Sequence, residues 1–121
     1  MKTLTEKELK IMNVLWNNNG LMMRELYEHL PEPRTHFNTI STFVRRLVEK
    51  GFITSEALEG RVFKYYAAIT RVEYERKERK SVIDRLFNGS CLDFVKHLVQ
   101  EDQLTKEDLE ELIRLIEEQK V

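Results

Sequence analysis

Thr35–Lys50 reads THFNTISTFVRRLVEK and is closed by Gly51. Phe37, Ile40, Phe43, Val44, Leu47 and Val48 recur at intervals of three and four, a spacing that predicts a helix with one buried stripe. At roughly 100° per residue the opposite face carries Thr35, Asn38, Thr42, Arg45, Arg46 and Glu49, with Thr39 and Ser41 beside it. Short hydrogen-bonding side chains near the N-terminal end suit base edges in a DNA major groove, and the arginines one turn later suit phosphates. Thr35, Asn38, Thr39 and Thr42 are therefore expected at bases or groove walls, and Arg45 and Arg46 at phosphates. Every amphipathic helix has a polar face, so the neighbouring segments must decide.

Upstream, Thr5 followed by Glu8 forms the pattern of a capping box, opening a helix whose inner face holds Leu9, Met12, Leu15 and Trp16. Asn17-Asn18-Asn19-Gly20 ends it, since these residues tolerate turn conformations. Leu21 and Met22 lead into a short helix over about Met23–Leu30, with Leu26 and Leu30 inward. Pro31-Glu32-Pro33 then forbids continuation and makes the turn into the Thr35 helix. Three helices within the first fifty residues, the last two joined by a tight turn, have helix-turn-helix proportions.

Downstream of Gly51, Phe52–Ser55 and Val62–Tyr66 are short β-prone runs around a polar loop containing Glu59-Gly60-Arg61. Phe63, Tyr65 and Ala67 share one face of the second run, as a two-stranded ribbon folded onto helices requires. Three helices followed by a hairpin with a Gly-Arg tip make a winged helix, with Arg61 at the tip expected to touch a phosphate. The bland alternative is a hairpin that only caps the core.

From Thr70 the chain turns helical again. Glu73–Lys80 (EYERKERK) is almost devoid of apolar side chains and is expected to be solvated. Val82, Ile83, Leu86 and Phe87 follow before Asn88-Gly89; Leu92, Val95, Leu98 and Val99 mark a fifth helix. Thr105 and Asp108 cap a sixth, in which Leu109, Leu112, Ile113 and Ile116 recur at helical spacing. Three such helices, below about 55 residues in all, cannot enclose a core by themselves. Leu86, Phe87, Leu92, Val95, Leu98, Val99, Leu109, Leu112, Ile113 and Ile116 are therefore expected to pack against the same segment of a second chain. The fold class expected is mainly α: a winged-helix DNA-binding domain over residues 1–70 and a three-helix dimerisation domain over 71–121.

Composition narrows the function. With 41% hydrophobic and 34% charged residues among 121, the chain reads as a helix-rich globular protein. The longest apolar run, Tyr65–Ile69, is too short to span a bilayer, and MKTLTEKELK lacks a signal-peptide core. One cysteine, Cys91, fits a reducing cytoplasm and reads as a small buried residue at a helix start. The net charge of −1 conceals an uneven distribution. Residues 34–65 carry six basic side chains against three acidic, whereas residues 91–121 carry four against nine. DNA binding needs a local basic face rather than a basic protein. His29, His36 and His97 lack the spacing of a metal site, so no metal or cofactor is assigned, although His36 lies near enough to the reading helix to approach DNA. Gly20, Gly51, Gly60 and Gly89 all sit at turns and form no phosphate loop, and no nucleophile motif is present, so an enzyme is not expected.

The segments LTEKELKIMNVLW, NTISTFVRRLVEKGFI, GRVFKYYA, IDRLFNGS and LTKEDLEELIRLIEE, in this order and spacing, resemble the penicillinase-repressor family of bacterial transcription regulators over nearly the whole length. The resemblance implies a homodimeric winged-helix repressor with intertwined C-terminal helices, reading an inverted-repeat operator through the third helix. It also places the positions of Asn38, Thr42 and Arg46 at the DNA surface. Three departures stand out. The chain ends Glu117-Glu118-Gln119-Lys120-Val121 without the cysteine-rich tail of copper-controlled members. His97-Leu98 stands where penicillinase-type members are cut between asparagine and an aromatic residue, so that cleavage site does not carry over, and an upstream sensor or protease remains only a possible partner. Met22 replaces a small hydroxyl residue at the second helix's start, removing one backbone-phosphate contact.

Two other functions compete: a winged-helix module for protein–protein contact through the acidic helices, and a regulator that takes a small effector between its domains. Affinity falling by orders of magnitude between low and moderate salt separates a DNA binder from a protein adaptor. Thermal stabilisation by candidate ligands would reveal an effector.

Overall fold

The computed structural model describes residues 3–119; Met1, Lys2, Lys120 and Val121, the ends of the two expected domains, lie outside the described residues. The capping box forms as the sequence requires. Thr5 N–H donates to Glu8 Oε1 at 2.9 Å, Glu8 N–H donates to Thr5 Oγ1 at 3.3 Å, and α1 runs Glu6–Trp16. At Gly20 (φ +88°) a Cβ would collide with the Tyr66 ring, so glycine alone lets the chain pass this close to the sheet. Then come β1 (Leu21–Met22), α2 (Met23–His29), α3 (Phe37–Glu49), β2 (Ile53–Ala57), β3 (Phe63–Ala67), α4 (Arg71–Leu86), α5 (Cys91–Gln100) and α6 (Lys106–Gln119). The architecture is a mainly helical winged helix followed by further helices.

The sheet has three strands, not the two of the expected ribbon. Its order is β1-β3-β2, antiparallel throughout, with Leu21 opposite Tyr65 and Ser55 opposite Tyr65 from the other side. β1 is two residues long, too short for any periodicity, and only its partner β3 makes it a strand. Both hairpin strands begin one residue later than expected. Phe52 is taken up by the turn, its N–H donating to Leu47 O at 2.9 Å and its O accepting from Ala68 N–H at 2.8 Å.

The core of the first unit gathers Ile11, Met12, Leu26, Val44, Leu47, Phe52 and Ile53, all essentially sealed from solvent. Ile11 and Val14 join the inner face expected for α1, while Leu9 and Trp16 are half-buried at its margin. The Trp16 indole packs on Tyr74 at 5.8 Å between centroids and donates Nε1–H to Ile69 O at 2.8 Å. Tyr74 corrects the expectation of a solvated Glu73–Lys80 segment. It is buried, its ring meets Phe52 at 6.3 Å, and its hydroxyl accepts the Leu4 N–H at 3.0 Å. The remaining side chains of that segment are exposed or, at Glu78, half-buried.

The compact units divide between Arg76 and Lys77, part-way along α4. In the second unit Ser90 Oγ accepts the Asp93 N–H at 3.1 Å and caps α5. Thr105 and Asp108 cap α6 reciprocally, at 2.9 and 3.1 Å. Phe87 meets Phe94 edge-on at 5.1 Å. Among the described residues of α5 and α6 none is buried. Leu86, Leu92, Val99, Leu112, Ile113 and Ile116 are exposed, and so is Leu115, which the helical pattern had not singled out; Phe87, Val95, Leu98 and Leu109 are half-buried. Cys91 is exposed rather than buried, as are Leu92 and Asp93 beside it in the first turn of α5.

Candidate nucleic-acid interface

Packing of the α3 stripe fixes which residues remain outside. Ile40, Val44 and Leu47 are buried, with Phe43 and Val48 packed beside them. Asn38, Thr39, Arg45 and Arg46 are left exposed on the other side. Thr35 does not belong to the helix. His36 is the N-cap, its ring Nδ1 accepting the Asn38 N–H at 3.3 Å, and Thr35 precedes it half-buried. The capping role of a histidine ring is invisible to apolar periodicity, which is why the sequence pattern sets the helix start two residues early. His36 itself is exposed.

The polar side chains differ in how far they are already committed. Thr42 Oγ1 donates to the Asn38 carbonyl at 3.0 Å and accepts from Arg45 Nη2 at 3.4 Å. Its hydroxyl is turned back on its own helix. The Asn38 side-chain amide makes no hydrogen bond among the described residues, and Arg45, Arg46 and Arg61 make no ion pair among them. Their charges are therefore available to an outside anion. Arg61 is exposed in the loop between β2 and β3, which Leu58 N–H closes on Val62 O at 2.8 Å.

Beneath the far end of α3, Lys50 Nζ lies 3.2 Å from Glu8 Oε2, tying α1 to α3. Burial would push the Glu8 carboxyl up, but hydrogen bonds from Thr5 and Lys50, with the Lys50 charge, outweigh it and hold the group below its ordinary value.

Sequence reasoning missed Arg24, which lies on α2 outside any recognised motif. Its guanidinium sits over the Phe37 ring at 5.1 Å, at the head of α3. Nothing in a linear pattern links residues 24 and 37; the close approach of α2 to α3 does. Among the described residues no group of three or more His, Cys, Asp or Glu is placed to hold a metal, and no helix is long and apolar enough to cross a membrane.

Comparisons with known proteins show the family to which the chain is similar. Residues 4–118 match the family model of the penicillinase repressor. Over 118 residues the chain is 31% identical to the penicillinase repressor of Bacillus licheniformis, covering 97% of this chain and 91% of that one. The solved DNA-binding domain of the repressor BlaI is similar with a TM-score of 0.52 and 31% identity, over 61% of this chain and 94% of that domain. Monomeric Bacillus licheniformis BlaI in complex with the blaP half-operator gives a TM-score of 0.51 at 31% identity, over 60% of this chain and 89% of that one.

Proposed function

The chain belongs to the penicillinase repressor family, and from that premise we propose that it is a cytoplasmic, homodimeric transcriptional repressor that binds an inverted-repeat operator in double-stranded DNA. The observation that carries the reading is the outer face of α3, where an asparagine amide without a hydrogen bond and two arginines without an ion pair among the described residues stand exposed in the same unit as Arg61 of the wing. The half-operator complex of the Bacillus licheniformis relative supports the same partner.

Each residue has a role set by its chemistry. Asn38, with a free amide, can bond an adenine edge bidentately. Thr42, its hydroxyl bonded to the Asn38 carbonyl, offers its methyl, which suits the methyl of thymine. Thr35 and Thr39 flank them at the groove wall, and Arg45, Arg46 and Arg61 neutralise phosphates. The exposed apolar side chains of α4, α5 and α6 in the second unit form the dimer seam. Two copies of α3 would then enter major grooves about 10 base pairs apart, or a small multiple of that. Each half alone binds weakly, so an inducing event that parts the seam, from an upstream sensor or protease, releases the operator. The reading is of a binding protein, not a catalyst.

Selection from a random duplex pool, followed by titration of the recovered sequence over a range of salt, tests this. An inverted repeat should emerge, and affinity should fall by orders of magnitude from low to moderate salt. Arg46→Ala should weaken all duplexes and lower the salt slope by about one per bound chain, whereas Asn38→Ala should relax preference at one base pair. Failure to bind any duplex in dilute buffer would remove the proposal.

A further inference from the structure

Four side chains form one continuous stack at the head of α3. The Arg24 guanidinium lies 5.1 Å from the Phe37 centroid, and Phe37 meets Tyr27 edge-on at 5.2 Å and 82°. Arg34 covers the Tyr27 ring at 5.2 Å and donates from Nη1 to the Tyr27 carbonyl at 3.3 Å. Each end of the stack is therefore a guanidinium held by an aromatic face. A guanidinium over an aromatic ring gives up none of its in-plane N–H donors to that contact, and those donors match a phosphate. Among the described residues Arg24 makes no hydrogen bond or ion pair, while Arg34 is tied to Glu32 at 2.9 Å and keeps less charge to spare.

The start of α2 lacks its own means of holding an anion. Met22 at the N-cap has no capping oxygen, and its N–H donates instead to Glu25 Oε1 at 2.9 Å. A carboxylate thus occupies the place where a phosphate oxygen would otherwise approach, and the helix has only seven residues. In the same first turn of α2, next to Glu25 in sequence, Arg24 supplies a cation braced on the Phe37 ring.

We propose that Arg24, held on the Phe37 ring, grips a DNA backbone phosphate beside the head of α3, in place of the helix end that Glu25 closes, with Arg34 as a weaker second arm. The inference rests on the DNA-binding reading above. It makes Phe37 a positioning residue: the ring that begins the reading helix also fixes the cation that registers it on the backbone.

Wild type, Arg24→Ala, Arg24→Lys and Phe37→Leu are titrated against the selected operator and a scrambled duplex over a range of salt. Arg24→Ala should lose about tenfold on both duplexes, with the salt slope reduced by about one per bound chain. Arg24→Lys should keep the slope and lose a few-fold, because an ammonium cannot offer a planar fork. Phe37→Leu should likewise weaken binding at an unchanged slope. Trp16 fluorescence melts check that each variant is folded; should Phe37→Leu fail to fold, the Arg24 pair decides. If Arg24→Ala binds as wild type does, or loses affinity without a change of slope, the phosphate grip is overturned while the DNA-binding reading stands. If wild type binds no duplex, that reading fails first.

Discussion

The first unit buries its apolar side chains in its own interior, whereas the second spends a comparable apolar pattern on a surface. Ile11, Leu26, Val44, Leu47 and Phe52 are sealed, yet Leu112, Ile113 and Ile116, spaced just as regularly, are exposed. Periodicity predicts a buried stripe in both cases and does not say what buries it. The difference lies in the surroundings. α3 is covered by α1, α2 and a sheet, while α6 has only α5 and part of α4 within its own unit. Within its own unit such an amphipathic helix leaves its apolar stripe uncovered, and this contrast motivates the proposed dimer.

The sole tryptophan, Trp16, lies in the first unit, so its fluorescence follows that unit separately from overall helix content. Phe52→Ala should have the largest effect, removing a ring that is 1% exposed and costing about 3–5 kcal/mol in urea unfolding followed at Trp16. A loss below about 1 kcal/mol would mean that the first unit is not closed around Phe52, and the comparison would break.

Ile113→Asp with Ile116→Asp sharpens the other side. Isolated carboxylates on the proposed seam should raise the dimer dissociation constant by at least about 100-fold, seen in sedimentation at micromolar protein. The Trp16 transition of the variant should lose its dependence on protein concentration and still occur. A variant that remains dimeric would place the seam elsewhere. One in which Trp16 is exposed from the outset would show that the first unit is not self-sufficient.

Most of α3 was legible because its two faces differ so sharply in chemistry, and both caps, Thr5 with Glu8 and Thr105 with Asp108, were legible because a capping box is local. What escaped was non-local. β1 is a strand only because β3 lies beside it, and Tyr74 looked solvated among charges until Leu4, Trp16 and Phe52 met it from distant parts of the chain. Arg24 belongs to the same class, brought to Phe37 by helix packing. Cys91 erred in the opposite direction: small residues are buried on average, but only where something covers them. The polar residues of the candidate interface could be named from a wheel. Which of them is free could not, since the Thr42 hydroxyl and the Asn38 amide differ only in bonds that a wheel does not show.

The smallest effect concerns acid, and it should distinguish the units as well. Glu8 is buried in the first unit, and its carboxyl lies below the ordinary value because the Thr5 and Lys50 bonds outweigh burial. A lowered folded-state value means that the unfolded chain takes up the proton first as pH falls. The stabilisation is thus fully present above about pH 4.5, the ordinary value, and is lost as pH drops through the folded one. Lys50 is half-exposed, so solvent screening limits the gain to about 0.5–1 kcal/mol. Glu8→Gln can still accept from Thr5 N–H but has no charge for Lys50, and should flatten this acid-dependent part of the Trp16 unfolding free energy while changing little of the helix content of the second unit. A Glu8→Gln profile that keeps the wild-type slope below pH 4.5 would show that the Glu8 carboxylate, with its Thr5 and Lys50 bonds, adds no acid-dependent stability to the first unit, and that its apolar interior alone sets it apart from the second.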